Sequence, residues 1–336
     1  MRAVAYSIKP FEKEFLAKAN QKKHEITLIA NALSVDTTAY AKGKDVVIVF
    51  ANDDVSSQVI EKLAGLGIKY IVTRTTDADH IDKAAAAKLG IKLSDIPFYS
   101  PEAIAEHAVA LALSLNRQLV KADKHSHQFD FRNDELIGFN FSGKTVGIIG
   151  LGKTGQATAR IFNGLGCNVL GYDLVFPDAL AYVKPGKFAD LFATSDIISL
   201  HLPLNADTKY LIRAETLAQM KNGVMIINTS RGGLINTKDV LTALHSGKVG
   251  YLGIDVYEHE NGLFYEDHES DDYKDPLLLN LLQHTNVLVT PHQAYLTRET
   301  LQEIANETID NLDLWQAEKF ATEILISASQ IEKNID

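Results

Sequence analysis

A glycine-rich turn set almost halfway along 336 residues constrains the fold more than any other feature: Gly147-Ile148-Ile149-Gly150-Leu151-Gly152-Lys153-Thr154-Gly155. Residues 144–149 thicken in β-branched side chains as a buried strand does, and residues 156–162 open a helix. Gly150, Gly152 and Gly155 therefore stand where a strand turns into a helix. At such a junction the first glycine admits the tight turn. The second lets a pyrophosphate approach the backbone, and the third lets helix and strand pack closely. Free amides at the helix start favour the phosphate charge. The next strand, 167–172, runs into Asp173, at about the 20-residue distance expected of a ribose-binding carboxylate. Three glycines alone are a weak signal; with their strand, helix and acid they predict dinucleotide binding.

The position of this turn demands a second domain in front of it, in keeping with a chain too long for one core. Residues 2–7, 45–50 and 68–72 are strand-like, and 10–20 and 56–66 helical, an alternation that predicts a parallel sheet. Ser100-Pro101-Glu102 is a helix start, with an N-cap serine, proline at the first helical position and an acid in the first turn. The alanine- and leucine-rich helix it opens is expected to run to about Lys124. From Lys144 a second series places strands at 144–150, 167–172, 196–200, 223–228, 250–254 and 286–290, about the six of a full Rossmann sheet. Thr297 can cap another long helix, with Leu301, Ile304, Thr308, Leu312 and Trp315 along one stripe. The expected fold is α/β, with two Rossmann-like or flavodoxin-like domains built on parallel sheets and hinged by two long crossing helices. The expected boundaries are 1–100 with 297–336 for a discontinuous substrate domain and 101–296 for the NAD-binding domain, with the site in the cleft between them.

Composition narrows the function classes. A net charge of −10 argues against a nucleic-acid partner, whose phosphates call for Lys and Arg patches. It also means that a small anionic substrate needs a dedicated arginine. No apolar run approaches a membrane span, and Met1-Arg2-Ala3-Val4-Ala5-Tyr6 reads as a first strand and not as a signal peptide. The single cysteine, Cys167, falls in an expected buried strand, which suits a reducing cytoplasm and a core role.

Candidate chemistry gathers at strand ends, where ligands bind in open α/β folds. Asp173 can accept from both ribose hydroxyls of NAD and repel the 2′-phosphate of NADP, and Leu174-Val175-Phe176 brings no arginine to reverse that preference. Asn228-Thr229-Ser230-Arg231-Gly232-Gly233 follows an apolar strand, and the planar fork of Arg231 suits a carboxylate. Thr290-Pro291-His292-Gln293-Ala294 presents a histidine able to move a proton near neutral pH. Asp255-Val256-Tyr257-Glu258-His259-Glu260 offers carboxylates to orient that histidine, and spacing does not choose between Glu258 and Glu260. The acidic run that follows, 261–275, has no metal-ligand spacing and reads as a solvated loop. His125 and His127, two apart on a helix, diverge.

In this order, GxGxxG, Asp173, Ser230-Arg231-Gly232, Glu260 and Pro291-His292, the chain resembles the D-isomer-specific 2-hydroxyacid dehydrogenase family. The resemblance spans essentially the whole chain, including Tyr99-Ser100-Pro101-Glu102-Ala103-Ile104-Ala105-Glu106-His107. Asp255-Val256-Tyr257-Glu258, Val289-Thr290-Pro291-His292-Gln293-Ala294 and the extended acidic insert with Leu263-Phe264 and Glu266-Asp267 are similar to the fermentative D-lactate dehydrogenase branch. What the resemblance implies is an NAD-dependent catalytic trio. Arg231 grips the substrate carboxylate and polarises the keto oxygen, His292 gives that oxygen a proton, and Glu260 holds His292. It further implies Lys153 and Thr154 at the pyrophosphate; Leu202, Pro203 and Thr208 on the adenosine side; and Thr229, Ser230 and Asp255 on the nicotinamide side. His201 falls near the cofactor without a chemical role. Asp77, Ala78, Tyr99 and Tyr295 join Arg231 around a small 2-keto or 2-hydroxy acid, and a homodimer formed through the cofactor domain is expected.

One departure stands out. Relatives carry glycine where Arg74-Thr75-Thr76-Asp77-Ala78-Asp79-His80-Ile81-Asp82 has Asp77, in a loop whose amides resemble those that bind the substrate carboxylate. Aspartate there restricts positive φ and brings negative charge toward an anion. Competing expectations are a larger 2-keto acid such as 2-ketoisocaproate or phenylpyruvate, and a nucleotide-sensing corepressor of the same fold. A methyltransferase using the glycine loop is disfavoured by Gly155 and by the trio.

Overall fold

The structure is a computed structural model describing residues 1–76, 78, 80–96, 100–177, 180–272 and 274–317. Two compact units divide the chain, Met1–Ser100 with Leu296–Asp336, and Pro101–Tyr295.

The first unit holds a five-stranded parallel sheet of β1 (Arg2–Ala5), β2 (Glu25–Leu28), β3 (Val46–Val49), β4 (Tyr70–Thr73) and β5 (Lys92–Ser94), ordered β2-β1-β3-β4-β5. Helices α1 (Glu12–Asn20), α2 (Ser57–Gly65) and α3 (Lys83–Lys88) connect the strands. The central strand β3, Val-Val-Ile-Val, is buried along its whole length, as a strand covered on both faces must be. Strands β2 and β5 and helix α3 add to the elements expected from sequence; the short edge strands are half polar and lack a strong apolar signature.

The second unit holds a seven-stranded parallel sheet of β6 (Thr145–Ile149), β7 (Asn168–Tyr172), β8 (Val183–Pro185), β9 (Ile197–Leu200), β10 (Val224–Asn228), β11 (Val249–Ile254) and β12 (Val287–Val289). The order is β12-β11-β10-β9-β6-β7-β8. Six strands were expected; the seventh, β8, is a three-residue edge strand ending in a proline, a residue that sheets tolerate only at an edge. Because β6 pairs with β7 on one side and β9 on the other, the chain reverses its direction of strand addition between β6 and β9. That reversal opens a crevice at the carboxyl ends of the strands.

Helices α4 (Pro101–Asn116) and α5 (Leu119–His127) replace the single helix expected as far as Lys124. Gln118 adopts a left-handed conformation (φ 50°), breaking the helix. The apolar stripe of α4, from Ala108 to Leu115, joins the core cluster that holds Ile148, Val169 and Ile227, whereas α5 buries no residue. Asn116 sits at the change, accepting from Phe139 N at 2.9 Å and donating to Phe139 O at 2.7 Å. Packing thus ends the helix where propensity alone would continue it. The remaining helices are α6 (Lys153–Gly164), α7 (Phe188–Thr194), α8 (Ala214–Gln219), α9 (Thr237–His245) and α10 (Pro276–Gln283).

Helix α11 (Arg298–Gln316) returns the chain to the first unit. Thr297 caps it, accepting from Thr300 N at 3.2 Å, and Leu301, Ile304, Thr308, Leu312 and Trp315 are all buried. Trp315 stacks on Tyr70 of β4 at 4.7 Å, and burial of such an aromatic contributes about 2–3 kcal/mol. No helix among the described residues is long and apolar enough to cross a membrane.

Candidate active site

The candidate groups of the second unit follow the carboxyl ends of six adjacent parallel strands. His292 comes after β12, Asp255 and Glu260 after β11, Asn228 to Arg231 after β10, His201 to Pro203 after β9, the glycine turn after β6 and Asp173 after β7.

The glycine turn is built by close approach. Gly150 has φ +94°, a region L side chains avoid, and a Cβ there would lie 2.3 Å from His201 O. A Cβ on Gly155 would lie 1.9 Å from Gly150 O, so α6 can begin this close to β6 only with glycine. A Cβ on Gly152 would meet nothing within 4 Å. Gly152 is the N-cap of α6, and the first amides of a helix have no intrahelical partner. Open space therefore lies before the first turn of α6, which fits a pyrophosphate. Lys153 and Thr154 form the first turn of α6.

Asp173 is half-buried, with Oδ2 accepting from Leu151 N at 2.6 Å and Oδ1 from Val175 N at 3.4 Å. Leu202 O accepts the Ser230 hydroxyl at 2.6 Å, joining the loops after β9 and β10. Thr208 donates to Pro203 O at 2.7 Å and accepts from Asn205 N at 2.9 Å, so its hydroxyl closes the 203–208 turn. Thr229 Oγ1 is shielded from solvent and makes no hydrogen bond, as suits a polar atom meant for a ligand. His201, beside the glycine turn, has its Nε2 at 2.9 Å from Ser199 Oγ and its Nδ1 shut away from solvent without a hydrogen bond. Burial holds its pKa down at about 4, so it stays neutral.

The structure brings His292 and Glu260 together: His292 Nδ1 lies 3.0 Å from Glu260 Oε1. A carboxylate accepts, so Nδ1 carries the proton and Nε2 is left for other work. Glu260 Oε2 accepts from Tyr257 N at 3.0 Å, which fixes the carboxylate. Glu258 points elsewhere, accepting from Thr237 N at 2.9 Å at the start of α9. His292 itself has φ +52°. Its ring lies 5.7 Å from that of Tyr265, a residue of the acidic insert that carried no sequence signal for the site.

Asp255, expected on the nicotinamide side, is enclosed by the turn that carries His292. It is fully buried, and its Oδ1 accepts from Thr290 Oγ1 at 2.5 Å and Gln293 N at 2.9 Å, while Oδ2 accepts from Ala294 N at 2.8 Å. The carboxylate is filled by the turn that carries His292. His107 of α4, present in the sequence only as part of a longer motif, joins this cluster at 3.0 Å from Thr290 Oγ1.

Arg231 is half-buried, in extended backbone, and donates to Ser230 O at 2.9 Å. Asn228 holds its loop, with Nδ2 donating to Arg231 O at 2.9 Å and Oδ1 accepting from Ser230 N at 3.1 Å. Tyr295, half-buried, ends the second unit. In the first unit Ala78 is part of the core. Asp77 and Tyr99 lie outside the described residues. Among the described residues no cluster of three His, Cys, Asp or Glu side chains could hold a metal ion. Cys167 is buried with its pKa pushed up to about 11, as befits a core thiol.

A glycine turn, an acid at the end of the next strand and an arginine with a histidine–carboxylate pair on one parallel sheet define a dinucleotide-dependent dehydrogenase. Residues 109–294 match the family model "D-isomer specific 2-hydroxyacid dehydrogenase, NAD binding domain". A D-lactate dehydrogenase of Curvularia clavata, kk1H, is 42% identical over 323 residues, covering 94% of this chain and 92% of that protein. The D-lactate dehydrogenase of Escherichia coli (strain K12) is 40% identical over 316 residues, covering 93% and 96%. The solved pyruvate reductase of Chlamydomonas reinhardtii superposes with a TM-score of 0.92 at 39% identity, covering 96% and 98%. The chain belongs to the D-isomer-specific 2-hydroxyacid dehydrogenase family, with NAD as its cofactor.

Proposed function

We propose that the chain reduces pyruvate reversibly to D-lactate with NADH, acting as a cytoplasmic homodimer. The observation that carries the reading is the pairing of His292 Nδ1 with Glu260, which leaves Nε2 to exchange a proton at a strand end of the NAD-binding unit. When bound, the nicotinamide supplies the hydride. Arg231 receives the substrate carboxylate in its planar fork and polarises the keto oxygen. As negative charge grows on that oxygen, the cationic Arg231 and the protonated His292 stabilise it, and His292 Nε2 delivers the proton. The carboxylate of Glu260 balances the imidazolium charge, and in the reverse direction His292 takes the proton back. Gly150, Gly152, Lys153, Thr154 and Gly155 hold the pyrophosphate, Asp173 the ribose, and Thr229 and Ser230 the nicotinamide side. The names of the relatives support pyruvate as substrate, and the bulk of Tyr295 favours a small acid over 2-ketoisocaproate or phenylpyruvate.

The test follows NADH oxidation by purified protein across a panel of 2-keto acids, with product chirality determined. Highest kcat/KM for pyruvate with D-lactate as product is expected. A larger acid as best substrate, or L-lactate as product, overturns the assignment; no turnover at all favours the NAD-sensing alternative.

A further inference from the structure

The turn that carries His292 is folded around one buried side chain, that of Asp255. Asp255 is fully enclosed, and three groups of that turn point at its carboxylate: the Thr290 hydroxyl and the amides of Gln293 and Ala294. The amide of His292 in turn donates to Asp255 O at 2.8 Å. Together these bonds hold residue 292 at φ +52°, a conformation that a non-glycine residue keeps only where the surroundings impose it.

The hydroxyl of Thr290 fixes the direction of the next bond. Thr290 donates its one proton to Asp255 Oδ1. Its oxygen then accepts from His107 Nε2, 3.0 Å away, and the same nitrogen is 3.4 Å from Asp255 Oδ1. His107 therefore carries a proton on Nε2. It comes from the middle of α4, nearly 150 residues before Asp255, and only 18% of its side chain is exposed.

We propose that His107 is a positioning residue for the proton donor, acting through Thr290 and Asp255 to hold the 290–294 turn and so keep His292 against Glu260. The inference rests on the reading of His292 as donor. It adds to the trio a group that touches neither substrate nor cofactor.

Long-range 1H–15N spectra of histidine-labelled protein test the link directly, with His107 assigned by its loss in His107→Gln. A His107 protonated on Nε2 is expected; a neutral ring protonated on Nδ1 overturns the proposal. In kinetics, His107→Leu should lower kcat for reduction about tenfold, with the Kd of NADH held within about twofold. His107→Gln, whose amide can donate to Thr290, should recover most of the lost rate. A leucine variant with wild-type kcat, or a glutamine variant as impaired as the leucine one, overturns the proposal. If the leucine variant does not fold, the tautomer and the glutamine variant decide. Wild-type protein that reduces no 2-keto acid overturns the proposed reaction instead. The tautomer, with the His292 resonances in His107→Leu, then decides the link: displaced resonances support it and unmoved ones sink it.

Discussion

Asp173 Oδ2 accepts the amide of Leu151 at 2.6 Å, so the acid that ends β7 is bonded to the glycine turn that follows β6. A carboxylate held in this way presents its remaining lone pairs in a set direction. The acid and the glycine turn are thereby one piece of structure.

Asp173→Ala should relax the preference for NADH over NADPH and weaken NADH binding by about 10- to 100-fold, the worth of hydrogen bonds to a charged group. Fluorescence titration with both cofactors measures this. A retained preference would mean that selectivity resides elsewhere.

Glu260→Gln preserves size and removes the charge facing His292 Nδ1 at 3.0 Å. The glutamine oxygen can still accept from Nδ1, but it no longer offsets the positive charge of the ring that delivers the proton. The kcat of reduction should therefore fall about tenfold or more, with the Kd of NADH within about twofold of wild type. A kcat that does not move redirects attention to Glu258, although its carboxylate is held by Thr237 N.

Arg231→Lys keeps a positive charge but loses the planar two-pronged donor. Its kcat/KM for pyruvate should fall by about 10²- to 10³-fold, or roughly 3–4 kcal/mol of transition-state stabilisation. Steady-state kinetics at saturating NADH decide it, and near-normal kcat/KM contradicts the role.

His201 sets an acid limit on stability. With its pKa lowered from 6.5 to about 4 by burial, it is neutral in the fold, whereas the unfolded chain takes a proton below pH 6.5. The stability it contributes is complete above pH 6.5 and is lost as pH falls toward 4. Since the residue is partly exposed overall, solvent screens some of the effect, and about 1–3 kcal/mol is expected. Urea unfolding of wild type and His201→Gln at pH 7 and pH 5 isolates it. Equal losses in the two proteins would remove His201 as the cause.

The parts of the site legible in the sequence are those made by short stretches of chain. The glycine turn, Asp173 beyond the next strand and the cap at Thr297 each follow from local rules of backbone geometry, and each has its expected surroundings. Edge strand β8 and the break at Gln118 were not legible, because a short proline-containing strand and an alanine-rich helix look locally like something else. The choice between Glu258 and Glu260 lay between two acids on the same turn. The amides of Thr237 and Tyr257, one from each side, decide it.

By itself the sequence determined the α/β class, the dinucleotide turn and the residue types able to act on a 2-keto acid. Periodicity, glycine placement and side-chain chemistry are properties of neighbours along the chain. Tertiary structure alone decided which carboxylate meets His292, that Asp255 is enclosed by the turn after β12, and that His107 reaches Thr290 from α4. Those outcomes depend on hydrogen bonds between groups that come close only after the parallel sheet has stacked its strands in an order unlike their order in the chain.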